Sequence, residues 1–352
     1  MLPPGTAVVG ALFTLDGKGA VTASVSTPAL TETVTLWDVA TGKSIWIAEE
    51  KMKPTQCLAL SPDGKLVATA GNRVTLWDAT TGKRLHSLGL DTSIDTLAFS
   101  PDSALIATAS AQIGDVDIWD TRTGAKLRTI QPDNFAGTGI KFLPDGELIT
   151  TGSGVQLWDP ATGAKIGGAG PKGGLFSDDG EKYFAGSERK ATLVCATRSG
   201  ETLCTLKMDE RGCSPGGLVF SPAGDRIVST FGCGALWCWY AKTGDIAWKP
   251  REHSRGFEPA AFSPDGKLLV TGSDVCAAII WDAATGHKLL TLVGHVNGIE
   301  SVSFSPDGKL ALTGSGDGTA ILWDSETGNL LRVLAPPGFK PIAEDRGLGG
   351  GY

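Results

Sequence analysis

The residues of this chain that could do chemistry are four histidines, seven cysteines and a series of aspartates that recur at regular spacing. The histidines are His86, His253, His287 and His295, and no motif places a serine or cysteine nucleophile beside any of them. The sequence Gly-x-Ser-x-Gly occurs once, at 212–216, where no histidine lies nearby in the sequence, and His-x-x-x-His does not occur. Catalysis needs reactive groups that converge on one point. We therefore predict a protein that is not an enzyme and that has no catalytic residue, metal or cofactor.

The cysteines are odd in number and irregularly spaced, which argues against a disulfide framework and favours a reducing compartment. The chain has no Cys-x-x-Cys pair, which a zinc site commonly uses. We expect the cysteines to be small buried apolar side chains. The alternative is a metal or redox cluster among the five that lie between 195 and 238. The seven are Cys57, Cys195, Cys204, Cys213, Cys233, Cys238 and Cys276.

The aspartates belong to a phrase, Trp-Asp-x-x-Thr-Gly, that occurs eight times with some losses. Successive copies begin 37 to 44 residues apart, and the fifth has lost both Trp and Asp and reads "CATRSG" from Cys195. A period near 40 with this dipeptide indicates a repeat architecture. The copies begin at Trp37, Trp77, Trp119, Trp158, Cys195, Trp239, Trp281 and Trp323.

A second phrase of the type Ser-Pro-Asp-Gly runs in register with the first, as at 61–64 and 305–308. Proline suits the second position of a tight turn, aspartate bonds back to the backbone, and glycine accepts a positive φ. In the last unit this turn separates two short runs, 299–304 and 309–315, and a further turn leads to 319–324 and then 329–334. The pattern predicts four antiparallel strands per unit. Such sheets bury their faces by stacking around an axis, as the blades of a β-propeller do.

On these residues the chain resembles the WD-repeat β-propeller family. The resemblance covers about residues 6–335 and implies a hydrogen-bonded tetrad of His295, Thr313, Asp317 and Trp323 in the last unit. Unit seven has His253, Thr271 and Trp281 but Val275 at the aspartate position, and the other units lack the histidine. We therefore expect most blades to be held by packing and strand ladders. The tetrad is expected to be structural.

The fold class predicted is all-β, a single closed propeller of four-stranded antiparallel blades. Eight blades are expected, with seven as the alternative if unit one or unit five is incomplete. The domain spans 1–335, and residues 336–352 form a Gly- and Pro-rich tail that we expect to be flexible. The units are about 6–50, 51–90, 91–131, 132–170, 171–209, 210–252, 253–294 and 295–335.

Three parts of the sequence depart from the regular repeat, and each leads to a separate prediction. Unit eight supplies its own fourth strand, so blades one and eight should meet by side-chain packing alone, unless the native chain begins further upstream. Extra residues within 24–34 of unit one should form a loop. The segment "GGAGPKGG" (167–174) lacks the Gly-Lys-Ser/Thr ending of a phosphate-binding loop, so it should connect two blades.

The gross composition excludes several classes of function. The formal net charge is −7 and no basic stripe is present, which argues against binding nucleic acid. The apolar runs are strand-sized, and the N-terminal sequence has no signal-peptide pattern. We expect a cytoplasmic protein without membrane association, and a monomeric propeller.

The function expected is a scaffold that binds a protein or peptide of unknown identity. The resemblance implies that the partner meets the face that carries the fourth-to-first-strand loops and the second-to-third-strand turns. One alternative is a sensor module of a larger signalling protein. Another is a quinone-dependent enzyme, suggested by the Asp-x-x-Thr-Gly-Lys-x-x-Trp-like sequences that end at Trp46 and Trp248. The candidate partner-binding residues are Asn72, Arg73, Gln112, Asn134, Phe135, Glu188, Arg189, Arg211, Phe231, Arg255, Phe257 and Asn297.

Overall fold

A computed structural model shows 32 strands in eight four-stranded antiparallel sheets. The chain is an all-β, eight-bladed propeller, so the expected number of blades is confirmed. No helix occurs among the described residues. These are 6–26, 31–51, 57–89, 93–110, 112–135, 139–152, 154–171, 173–177, 179–188, 191–207, 215–231, 235–250 and 259–335.

The chain divides into two compact units, of which the first contains blades one, seven and eight. In every blade the strands pair in chain order, each with the next. The strands of this unit are β1 (Thr6–Phe13), β2 (Gly19–Ser26), β3 (Thr31–Asp38), β4 (Ser44–Lys51), β25 (Ala260–Phe262), β26 (Leu268–Gly272), β27 (Ala277–Asp282), β28 (Lys288–Val293), β29 (Ile299–Phe304), β30 (Leu310–Ser315), β31 (Ala320–Asp324) and β32 (Leu330–Leu334).

The second unit contains blades two to six. Its strands are β5 (Cys57–Leu60), β6 (Leu66–Ala70), β7 (Val74–Asp78), β8 (Arg84–Leu88), β9 (Thr96–Phe99), β10 (Leu105–Ala109), β11 (Val116–Asp120), β12 (Lys126–Ile130), β13 (Ile140–Phe142), β14 (Leu148–Thr151), β15 (Val155–Trp158), β16 (Lys165–Gly167), β17 (Gly173–Phe176), β18 (Lys182–Glu188), β19 (Ala191–Ala196), β20 (Thr202–Lys207), β21 (Pro215–Phe220), β22 (Arg226–Phe231), β23 (Leu236–Tyr240) and β24 (Ile246–Trp248). The middle strands, such as β6 and β7, are the most buried part of a blade.

The Ser-Pro-Asp-Gly turn is closed by its own side chains. In blade eight Ser305 Oγ donates to Asp307 Oδ1 at 2.7 Å and accepts from Leu310 N at 2.9 Å. Gly308 has a φ of 73°, a conformation that glycine adopts without strain. Because the hydroxyl closes the turn at Leu310, the second strand of this blade begins there, one residue later than the sequence indicated.

The Trp-Asp-x-x-Thr-Gly phrase forms the turn between the third and fourth strands. Asp324 Oδ1 accepts from Thr327 N at 2.7 Å and from Thr327 Oγ1 at 2.8 Å. Gly328 N then bonds to Asp324 O at 2.9 Å with a φ of 73°. Blades one, two, three and seven repeat the two bonds from Thr to Asp. The spacing of the phrase is therefore explained by a local turn.

Blade one is longer than the others because the extra residues of unit one extend its strands. All four of its strands have eight residues, and the ladder of β2 with β3 continues to the pair Ser26–Thr31. The prediction that 24–34 would form a loop is wrong for 24–26 and 31–34, while 27–30 lie outside the described residues. The alternating β-branched residues of this segment suit a strand.

Blades one and eight pack directly on each other, and blade eight is made of its own four strands. Val8, Ala11 and Phe13 of β1 share one apolar cluster with residues of blade eight that include Leu312 and Leu322. Two hydrogen bonds also cross this contact: Ser303 Oγ donates to Ala11 O at 3.2 Å, and Arg332 Nη2 donates to Ala40 O at 3.1 Å. The expectation of packing alone is therefore incomplete.

In four blades the fourth-strand residue that lies four positions after the turn glycine contacts the next blade. A Cβ added to the turn glycine of the next blade would lie 2.6 to 3.4 Å from this side chain. The pairs are His86 on Gly124, Arg128 on Gly163, Leu290 on Gly328 and Arg332 on Gly42. His86 thus lies between blades two and three, and its Nε2 bonds to Arg122 O at 2.9 Å. Trp46 and Trp248 occupy the same position and are 9% and 8% exposed. His, Arg and Leu occupy this position in other blades of the same chain. A tryptophan at this position is therefore not a specific sign of a quinone-dependent enzyme.

Candidate functional site

A buried tryptophan–threonine hydrogen bond recurs in six of the eight blades. In each, the Trp Nε1 of the third strand donates to the Oγ1 of a threonine on the second strand, over 2.8 to 3.1 Å. The expectation that most blades lack the polar network is therefore wrong in part, because half of the network persists without histidine. The pairs are Trp37–Thr22, Trp77–Thr69, Trp119–Thr108, Trp158–Thr150, Trp281–Thr271 and Trp323–Thr313.

Blade six is different because a serine replaces the threonine. Ser229 Oγ donates to the backbone oxygen of Thr230 at 3.3 Å. Trp239 is 0% exposed, and its Nε1 has no hydrogen-bond acceptor within the described part of the chain. The serine hydroxyl has no methyl group to fix its rotamer, so it adopts a competing local bond.

In blade eight the structure brings together all four residues of the implied tetrad. Trp323 Nε1 donates to Thr313 Oγ1 at 2.9 Å, and Thr313 Oγ1 lies 2.8 Å from His295 Nε2. His295 Nδ1 lies 2.9 Å from Asp317 Oδ2. Because the Asp317 carboxylate can only accept, His295 donates to it through Nδ1, and the neutral ring then accepts the threonine proton at Nε2. The hydrogen bonds therefore run in one direction from Trp323 to Asp317.

Thr319 and Val296 extend this network, and the repeat motif did not identify either of them. Thr319 donates to Asp317 Oδ1 from Oγ1 at 2.6 Å and from N at 2.9 Å. Val296 N donates to Asp317 Oδ2 at 3.0 Å. Burial by itself would raise the pKa of Asp317, but the hydrogen bond and charge of His295, together with the bonds from Thr319 and Val296, lower this pKa to about 2. Asp317 is thus an ionised anchor that holds the loop before β29.

The other residues of interest from unit seven are only partly described. Thr271 accepts from Trp281 Nε1 at 2.9 Å. His253 lies outside the described residues, and Val275 is 48% exposed at the turn where unit eight has its aspartate. The tetrad arrangement is therefore complete only in blade eight, among the residues that the structure describes.

The candidate partner-binding residues that the structure describes lie at the ends of the blades opposite the two signature turns. Asn72 and Arg73, in the turn after β6, are partly buried, and Gln112 and Asn134 are exposed. Phe135 packs against the core of blades three and four, so its contact surface is reduced. Glu188 and Phe231 end β18 and β22, and their side chains are not described. The remaining loop candidates outside the described residues are Arg189, Arg211, Arg255 and Phe257.

Asn297 is exposed, but its side chain is used within its own loop. Its Nδ2 donates to Gly316 O at 3.2 Å, and its Oδ1 accepts from Gly298 N at 2.8 Å. Asn297 thus fixes the connection between β28 and β29 against the turn between β30 and β31. A partner that contacts this loop would find Asn297 already engaged.

The cysteines and the remaining possible metal ligands do not form a reactive site within the described residues. Cys195, Cys204 and Cys238 are buried, and burial raises the pKa of the Cys238 thiol to about 12. No group of three or more His, Cys, Asp or Glu side chains within the described residues could hold a metal ion. Among the same residues, no helix has the length and apolar character needed to cross a membrane.

Comparison with known proteins agrees with this geometry. A family model described as "WD domain, G-beta repeat" matches residues 260–282 and 286–324, which form most of blades seven and eight. The chain therefore contains WD repeats in blades seven and eight, and it is similar to the WD40-repeat β-propeller family. Of the other six units, the first four share the Trp–Thr pair with these two.

Two known proteins are similar to this WD40 propeller. An uncharacterized WD repeat-containing protein of Synechocystis sp. is 28% identical over 122 residues, which are 34% of this chain. The match spans 35% of that relative's length. The crystal structure of the computationally designed Ika8 protein has a TM-score of 0.66 and 24% identity, and the match covers 79% of this chain and 86% of the designed one. The similarity to the designed protein shows only that the two proteins share a fold.

Proposed function

We propose that this WD40 propeller is a non-catalytic platform that binds a protein or peptide through the loops opposite its signature turns. The observation that carries the proposal is a difference between the two ends of each blade. At one end the turns repeat in sequence and their polar groups bond to each other, as Asp324 and Thr327 do. At the other end the connections differ from blade to blade, as Gln112, Asn134 and Val275 illustrate. Recognition requires residues that differ, so the variable end is the better candidate.

The engagement of the reactive side chains supports a binding role. His295 and Asp317 are used in the tetrad, and His86 in a contact between blades. His295 and Asp317 cannot turn toward a substrate without leaving buried partners unpaired, which would cost about 1–3 kcal/mol for each partner. The quinone-enzyme alternative rests on Trp46 and Trp248, and the same fourth-strand position is occupied in other blades by His86, Arg128, Leu290 or Arg332, which pack on a turn glycine. A sensor module within a larger signalling protein would use the same loops, so the proposal covers that case.

Site-specific photo-cross-linking tests the proposal. A benzophenone side chain is placed at Gln112 or Asn134 on the variable end, and at Lys65 or Lys309 on the repeated end as matched exposed controls. Each variant is irradiated in extract, and the adducts are identified by mass spectrometry. We expect one partner to be captured from the variable end and not from the controls. Capture from the repeated end alone, or from neither end, would contradict the proposal.

A further inference from the structure

Two exposed valines lie at the variable end of blades seven and eight. Val275, in the turn between β26 and β27, is 48% exposed, and Val296, in the connection between β28 and β29, is 49% exposed. Isolated exposed valines are ordinary on protein surfaces. These two are distinguished by their position on neighbouring connections and by the groups around them.

The two connections form one continuous surface. Ile299 N donates to Ser273 O at 3.0 Å, which joins the loop of blade eight to the turn of blade seven. A Cβ added to Gly298 would lie 3.4 Å from Asp274 Cα, so the loop and the turn are in van der Waals contact. We call Asp274, Val275, Val296 and Glu300 the valine patch.

The valine patch is held rigidly from below. The backbone N–H of Val296 bonds to the tetrad carboxylate of Asp317 at 3.0 Å. Asn297 ties the same loop to Gly316 at 3.2 Å. A surface that is already ordered loses little conformational entropy when a partner binds, which favours recognition at this place. The tetrad of blade eight therefore stabilises the loop that contains Val296 as well as the blade itself.

The charge of the valine patch is negative. Asp274 and Glu300 are exposed, and neither forms an ion pair with a described residue. The lysines and arginine of residues 259–335 lie elsewhere: Lys267 and Lys309 follow the Ser-Pro-Asp-Gly turns, Lys288 begins β28, and Arg332 points to blade one. Carboxylates next to an apolar surface attract a cation and repel phosphate groups, so this charge disfavours nucleic acid.

We propose that the valine patch binds a peptide segment of a partner protein in which an aliphatic side chain is flanked by lysine or arginine. The aliphatic side chain would cover Val275 and Val296, and the flanking cations would face Asp274 and Glu300. This inference rests on the proposed function, because it names the chemistry of the partner and the blades that it meets.

Selection from a random library of 12-residue peptides displayed on phage tests the inference with the full chain as bait. Selected peptides are synthesised and their Kd is measured by fluorescence anisotropy at two salt concentrations. The variants are D274N/E300Q, which removes charge, V275S/V296S, which removes apolar surface, and E326Q, which removes an exposed carboxylate at the repeated end. Equal urea midpoints would establish that all variants are folded.

We expect peptides with an aliphatic residue next to Lys or Arg, and a Kd that rises about tenfold in D274N/E300Q and in V275S/V296S but not in E326Q. Binding should weaken as salt is raised, because exposed charge pairs are screened. Selection of acidic or uncharged peptides, or binding that neither double variant weakens, would overturn the inference. If Asn134→Ala weakens binding instead, the proposed function stands and the valine patch does not. If no peptide is selected, both fail.

Discussion

Replacing Thr313 with valine should destabilise blade eight by about 2–5 kcal/mol, because one hydroxyl serves two buried partners. Thr313 Oγ1 accepts from Trp323 Nε1 at 2.9 Å and lies 2.8 Å from His295 Nε2. Valine has nearly the same shape as threonine, so packing changes little. The indole N–H and the imidazole nitrogen are both left without a partner in a site where Thr313 is 0% exposed.

The magnitude follows from counting orphaned groups. An unsatisfied buried donor or acceptor costs about 1–3 kcal/mol, and Thr313→Val leaves two of them. Thr150→Val in blade four is the matched control, because Thr150 is also 0% exposed and accepts from Trp158 Nε1 at 2.8 Å. No histidine occurs in that unit. The control substitution should therefore lower the free energy of unfolding by about 1–3 kcal/mol. The difference between the two variants measures what the bond between Thr313 and His295 contributes to stability.

The assay combines urea denaturation with hydrogen exchange measured by mass spectrometry. The urea midpoint reports the global free energy of unfolding if the m-value stays constant. Because a repeat protein can open one unit at a time, peptide-level exchange then assigns the loss to blade eight or blade four. Equal destabilisation by Thr313→Val and Thr150→Val would refute the reasoning, since His295 would then contribute nothing through Thr313.

Three further predictions concern other parts of the same network. Asp317 has a pKa lowered from 3.8 to about 2, so its contribution of about 2 kcal/mol is present above pH ~4 and is lost as the pH falls toward 2. D317N should therefore flatten the acid limb of a stability curve measured by urea denaturation, and an unchanged limb would contradict this. S229T should give the indole of Trp239 an acceptor and raise stability by about 1 kcal/mol, visible as a higher urea midpoint, whereas a lower midpoint would mean that the added methyl does not fit. R332A should speed amide exchange in blades one and eight while the other blades stay protected, and uniform exchange would show that Arg332 does not secure this contact.

Most of the architecture could be predicted from the sequence because local turns determine where the strands of each blade begin and end. The distance from Asp324 to Thr327 and then to Gly328 is a property of one turn, and eight copies of that turn define eight blades. The strand bounds in unit eight were displaced by one residue at three starts, since a hydroxyl such as that of Ser305 closes the turn. The extension of blade one was missed because strand and loop share a composition of threonine, serine and valine, and only pairing with a neighbour separates them.

The candidate site was less predictable, because its features depend on contacts between units of the repeat. The resemblance to WD repeats implied the tetrad residues, whereas Thr319 and Val296 join the tetrad through the geometry of a turn and a backbone N–H. Asn297 was expected to face a partner, yet its amide is occupied by Gly298 and Gly316. A side chain's exposure does not indicate whether its polar atoms are already bonded, and that requires coordinates.

The sequence by itself determined the number of blades, the strand order within each blade and the residues that close its turns, since these are set by interactions over a few positions. The tertiary structure decided how the blades meet. The fourth-strand position is His86 in blade two and Arg332 in blade eight, and each packs on a turn glycine of the blade that follows. It also joined the turn of blade seven that contains Val275 to the loop of blade eight that contains Val296, through the bond from Ile299 N to Ser273 O. Contacts between blades join residues that are far apart in the sequence, and the energy of such packing depends on distance in space.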